Sequence, residues 1–173
     1  MRNIESMVGR DLNWVRPGIF KRSYELHAGD IVVATLGWST ILSMEAKAES
    51  ADGCCKFARK GIWKTEITVT QCEHAEPLVT FMGARISRNQ KIDLPGGKQV
   101  FLKTNFWRTR YTLETDTREP LAIISRERFF SGANHLELRR RGTSYAEFPW
   151  LVLLMWYLIL LARRRAQAHA AAG

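Results

Sequence analysis

The chain repeats itself with a period of 43 to 44 residues, and a repeat of that length restricts the available folds severely. Residues 18–26 read GIFKRSYEL, residues 61–69 read GIWKTEITV, and residues 105–113 read NFWRTRYTL. The common pattern is an aromatic, a basic residue, two variable positions, Tyr or Ile, one variable position, then Leu or Val. A polar turn and an apolar run follow each copy: IVVATL at 31–36, LVTFM at 78–82, LAIIS at 121–125. The later part of the unit repeats as well. IDL at 92–94 and LEL at 136–138 are 44 residues apart, as are Phe57 and Phe101.

Each unit reads as four short strands. The first supplies Phe20–Leu26, Ile31–Trp38, Ala46–Ser50 and Cys54–Arg59, with Asp52-Gly53 as a hairpin turn. The second supplies Trp63–Cys72, Leu78–Met82, Lys91–Leu94 and Lys98–Thr104, with Pro95-Gly96-Gly97 as the matching turn. The third supplies Trp107–Glu114, Leu121–Arg126 and Asn134–Arg139; Gly142–Ala146 is its weakest strand. Alternation with period 2 assigns the faces. Phe20, Tyr24 and Leu26, then Trp63, Ile67 and Val69, then Trp107, Thr109, Tyr111 and Leu113 fall on inner columns. Lys21, Lys64, Arg108 and Arg110 fall on outer ones.

About twelve strands exceed what side chains alone can fill if one sheet closes on itself. A propeller is excluded, because three blades are too few and no Trp-Asp dipeptide occurs. The filler lies at the end of the chain. WLVLLMWYLILLA at 150–162 is thirteen residues without a charge. Pro149 suits a first helical turn, and Arg163, Arg164 and Arg165 suit the negative end of the helix dipole. A helix apolar all round must be buried on every side, by protein or by lipid. Thirteen residues span roughly 20 Å, short of the ~30 Å hydrocarbon core. Length therefore favours a core helix at 149–165 over the alternative, a C-terminal membrane anchor. The expected fold is mainly β: a closed barrel of about twelve strands around a hydrophobic C-terminal central helix. Residues 1–17 read as an N-terminal extension, 18–165 as a single domain, and 166–173 as a disordered tail.

The net charge of +9 is unevenly placed. Residues 1–80 carry ten Lys/Arg and ten Asp/Glu; residues 81–173 carry sixteen and seven. Such an excess attracts anionic partners, or simply solvates a face. The segment 1–18 has no apolar run of signal-peptide type. Cys54, Cys55 and Cys72 are odd in number and two are adjacent, so no disulfide framework is expected and a reducing, cytoplasmic setting fits best.

Catalytic patterns are sparse. There is no Gly-x-Ser-x-Gly, and GGK at 96–98 lacks the spacing of a phosphate loop. His27, His74, His135 and His169 read as ordinary surface histidines. Cys72 and His74 with Cys54 or Cys55 lack zinc-site spacing, and Asp93 and Glu137 flank different hairpins. No enzyme activity, cofactor or metal is expected.

The phrases YELHAGDIVVATLGW at 24–38, AESADGCCKFARKGIW at 48–63 and TNFWRTRYTLETD at 104–116, with the closing apolar helix, resemble the tubby C-terminal-like superfamily. That group includes the LURP-one-related proteins and the phospholipid scramblases. The resemblance covers about residues 18–165 and implies a twelve-stranded barrel around a hydrophobic helix. Tubby itself binds phosphoinositides through basic side chains, and scramblase-like proteins are linked to membranes, lipid movement and calcium. Those basic positions have no residue-by-residue match here, and no acidic loop of EF-hand type occurs.

Lys21, Lys64, Arg108, Arg110, Arg126 and Arg128 are therefore the candidate lipid-binding residues. Arginine forks suit phosphate oxygens, and basic residues are attracted to anionic headgroups. The expected function is non-enzymatic binding of anionic phospholipid or a membrane surface, from a cytoplasmic or peripheral membrane location. The alternatives are a soluble structural or protein-interaction domain, and a C-terminally anchored membrane protein. Nucleic acid is disfavoured: the one strong helix is wholly apolar, and the aromatics are assigned to inner columns.

Overall fold

The computed structural model describes residues 1–173 except 19–21, 41–42, 62–64, 84–88, 127–133 and 172–173, and the side chain of 169. Twelve antiparallel strands form one sheet that curls into a nearly closed barrel. They are β1 (Leu12–Val15), β2 (Ser23–Ala28), β3 (Ile31–Trp38), β4 (Glu45–Ser50), β5 (Gly53–Lys60), β6 (Thr65–Gln71), β7 (Pro77–Gly83), β8 (Asn89–Asp93), β9 (Gln99–Thr104), β10 (Arg110–Thr115), β11 (Pro120–Arg126) and β12 (Asn134–Leu138). The helix α1 (Phe148–Ala171) fills the barrel. In spatial order the strands run β7-β6-β5-β4-β3-β2-β1-β12-β11-β10-β9-β8. Strands β7 and β8 are thus the two ends of the sheet. The Gln90 side-chain Nε2 donates to the Met82 carbonyl across this seam at 3.0 Å.

The threefold repeat is visible in the pairing. Strands β2, β6 and β10 begin equivalent units, and the pairs β5–β6 and β9–β10 have a counterpart in β1–β2. The fourth strand of the third unit therefore comes from the N-terminus. Leu12–Val15, expected to lie in an extension, sits between β2 and β12 with Leu12 opposite Leu136 and Trp14 opposite Leu26. Gly142–Ala146 is not a strand, because Arg140–Ser144 forms a 3-10 turn. Gly142 packs directly under Phe148 there, where a Cβ would come within 2.3 Å of the ring.

Burial alternates along the wall as the period-2 pattern requires: Leu26, Phe57, Ile67, Val69, Tyr111 and Leu113 point inward. On the helix, Leu151 to Tyr157 and Ile159 to Leu161 are buried all round, so the barrel takes the place of lipid. Trp156 stacks on Trp14 at 5.2 Å and meets Tyr24 edge-on at 5.6 Å. Tyr157 packs against Phe57 and Trp38, and its hydroxyl donates to the Met44 carbonyl at 2.9 Å. Burial pushes the Tyr157 phenol well above its usual range. The helix runs on to Ala171, so most of the tail expected to be disordered is helical and exposed. Among the described residues no helix is long and apolar enough to cross a membrane.

The cysteine reading is overturned. Cys54 and Cys72 form a disulfide, with Cα atoms 5.4 Å apart. Strands β5 and β6 pair with Cys55 opposite Gln71, which sets Cys54 beside Cys72, whose N–H donates to the Cys54 carbonyl. Adjacency of Cys54 and Cys55 is no obstacle to this bond, because it joins neighbouring strands of a hairpin. The bond also removes the premise on which a reducing compartment was inferred.

Candidate functional site

Antiparallel strands put alternate loops at opposite ends of the barrel. The rim around the helix C-terminus (the distal rim) collects the ends of β1, β3, β5, β7, β9 and β11. The rim around the helix N-terminus (the proximal rim) collects the others. In the described distal loops and helix end lie Arg16, Arg22, Arg108, Arg163, Arg164 and Arg165, with no Asp or Glu among those described residues. The distal strand ends add the cations Arg59, Lys60, Lys103, Arg110 and Arg126 against the acids Glu45 and Glu66. The proximal rim instead carries Asp11, Asp30, Asp52, Glu73, Glu76, Asp116, Glu119 and Glu147, interspersed with bases such as Arg118, Arg139 and Arg141. The charge is polarised along the barrel axis.

Several distal cations are committed to structure. Arg163 Nη2 donates to Asn134 Oδ1 at 2.7 Å and the guanidinium lies over Trp156. Arg164 lies over Trp38 at 3.9 Å from the ring centroid. Arg165 donates to Thr65 Oγ1 at 3.3 Å. Burial lowers the proton affinity of Arg163 and Arg164, because the charged form is partly desolvated. These three close the end of the barrel. Elsewhere, Lys47, Lys91 and Lys103 pair with Glu49, Asp93 and Glu114.

Of the six residues singled out from sequence, Arg108, Arg110 and Arg126 are brought together. Lys21, Lys64 and Arg128 lie outside the described residues. Arg110 begins β10 opposite Ser125, and the Arg126 N–H donates to the Thr109 carbonyl at 2.9 Å. Arg126 therefore sits beside the residue that separates Arg108 from Arg110. All three are exposed, and none is paired with a carboxylate among the described residues.

The turn from β9 to β10 is the main departure from the sequence reading. Trp107, assigned to an inner column, is 71% exposed, and Phe106 is 65% exposed. Strand alternation starts only at Arg110, because Asn105 organises the preceding residues. Its Oδ1 accepts from the N–H groups of Thr109 and Arg110 at 2.9 and 3.1 Å, and its Nδ2 donates to Thr109 Oγ1 at 2.9 Å. The Arg108 N–H donates to the Asn105 carbonyl, and the Asn105 N–H to that of Arg110. Arg108 takes a left-handed φ of 52°. Phe106 and Trp107 meet edge-to-face at 5.0 Å on the tip. An Asn two residues before the aromatic-basic pair was the available signal for a turn. The ground given against nucleic acid, that no aromatic is exposed, does not hold at this tip.

Beside the turn, a cleft of about 80 Å³ opens near the seam. Its floor is Ile67, Leu102, Tyr111, Leu158 and Leu161; Arg59, Lys103, Arg108 and Arg165 stand around it. Arg59 Nε is buried without a hydrogen-bond partner. The cleft has the chemistry to hold one anionic group over an apolar floor. Among the described residues no cluster of His, Cys, Asp and Glu converges as a metal site, and Cys54 and Cys72 are committed to their disulfide.

Together these features define a class: an antiparallel barrel plugged by its own helix, with a cationic distal rim and an aromatic-tipped turn. No family model matches the chain, and neither a curated protein nor a solved structure matches it.

Proposed function

We propose that the protein is a non-enzymatic domain that binds the surface of anionic membranes through its distal rim. The observation that carries this reading is the exposed group Arg108, Arg110 and Arg126, which meets no carboxylate among the described residues on a rim whose described loops hold no acid. Each such cation near an anionic surface contributes about 1 kcal/mol, and the guanidinium fork matches phosphate oxygens. The cleft alongside offers a seat for one headgroup. Kinship with the tubby C-terminal-like superfamily belongs to the same reading and rests on the barrel and its axial helix.

Co-sedimentation of the full chain with phosphatidylcholine vesicles, with and without phosphatidylserine, tests the proposal. Binding is expected only with the anionic lipid and is expected to weaken as salt rises, because screening shortens the reach of exposed charges. Absence of binding at low salt refutes it.

A second reading, a protein-interaction domain, is favoured by β7. It is an end strand of the sheet and exposes Leu78 and Met82. Such an edge can accept a strand from another chain. On that reading the vesicles are not bound and the distal charges only solvate.

A further inference from the structure

We infer that the β9–β10 turn is an interfacial anchor: Phe106 and Trp107 enter the boundary between headgroups and acyl chains while Arg108, Arg110 and Arg126 hold the phosphates. The inference rests on the membrane reading above and adds the mode of attachment.

Four observations carry it. Phe106 and Trp107 are among the most exposed large apolar side chains in the described protein, although the other described tryptophans are buried or half-buried. The chain therefore exposes two rings beside a group of exposed cations that meets no carboxylate among the described residues. Second, the tip is already ordered by the Asn105 hydrogen bonds, so insertion does not have to pay for freezing a loop. Third, aromatic rings, tryptophan above all, favour the headgroup level of a bilayer, where an apolar body and a polar N–H are both satisfied. Fourth, the rings stand at 88° to each other and form a compact wedge. Single-stranded nucleic acid needs faces on which successive bases can stack, and this edge-to-face pair lacks that parallel arrangement.

The full chain is mixed with phosphatidylcholine vesicles containing phosphatidylserine, and tryptophan emission is followed. Wild type is expected to shift to the blue and to be quenched by lipids brominated near the glycerol end of the acyl chain. W107F is expected to bind but to lose most of the shift and the quenching, which isolates Trp107 from the remaining tryptophans. The double variant F106S/W107S, whose fold is checked by its circular dichroism and melting curve, is expected to bind at least about tenfold more weakly. Should W107F suffice to answer while the double variant fails to fold, the spectral readout alone decides. Salt-sensitive binding with no shift, no quenching and a wild-type affinity for F106S/W107S overturns the anchor and leaves the membrane reading standing. Failure of wild type to bind anionic vesicles removes both. Binding of a single-stranded oligonucleotide that quenches Trp107, in place of vesicles, reassigns the turn to nucleic acid.

Discussion

Cys55 is buried on the inner face of β5, and its thiol is pushed up to about 11 because burial penalises the thiolate. The ordinary value is 9.0, so the folded protein holds this proton more tightly than the unfolded chain does. The resulting stability is complete below about pH 9 and drains away as pH rises through about 11, to a total of roughly 2–3 kcal/mol. Tyr157, raised from its ordinary 10.0, acts in the same direction at higher pH. Urea unfolding of wild type and C55S from neutral to strongly alkaline pH measures the effect. The wild type is expected to lose more stability over that interval, by about 2 kcal/mol; parallel curves would contradict it. Residue identity alone could not have revealed this, because Cys54, one position earlier, is half-buried and bonded to Cys72.

At the scale of elements, β1 is short yet completes the third repeat, and its Trp14 stacks on Trp156 at the centre of the barrel. Trp14→Ala removes the largest inward side chain of the strand from a site that surrounding side chains only partly refill. A loss of 3–5 kcal/mol in unfolding free energy is expected, read from denaturant midpoints. A cost below about 1 kcal/mol would mean that β1 is peripheral. Most of the wall was legible in sequence because a strand with one buried face writes itself as alternation. IVVATLGW at β3 and TEITVTQ at β6 show it, and the period of 43 to 44 residues then counts the strands. The axial helix was legible because its apolar run is too short for a bilayer and too apolar for water. Two things were not. LNWV carries too little alternation to announce a strand, and its role depends on the chain's two ends meeting between β2 and β12. Alternation also continues on paper through NFWRTR, whereas the Asn105 side chain diverts the backbone into a turn and sends Trp107 outward.

Over the whole molecule, charge is uneven along the barrel axis, with cations in excess at the distal rim and acids interspersed with bases at the proximal one. Net charge and charge placement make different claims about a membrane. If the +9 of the chain acted as a single point, any two arginines would matter equally. If placement governs, position decides, because attraction beyond a Debye length of ~8 Å is screened at physiological salt. The pair Arg108 and Arg110 and the pair Arg139 and Arg141 separate the two. Both pairs are exposed, both replacements remove two charges, and they sit at opposite ends of the barrel. Arg139 and Arg141 are further held by Glu137 at 3.0 Å and Glu119 at 2.9 Å, so their fields are partly cancelled. R108A/R110A is expected to weaken binding to phosphatidylserine-containing vesicles by about tenfold or more, with a shallower dependence on salt. R139A/R141A is expected to change it by less than about twofold. Equal losses from the two variants would show that the polarity of the barrel has no part in membrane attachment, and that only its total charge does.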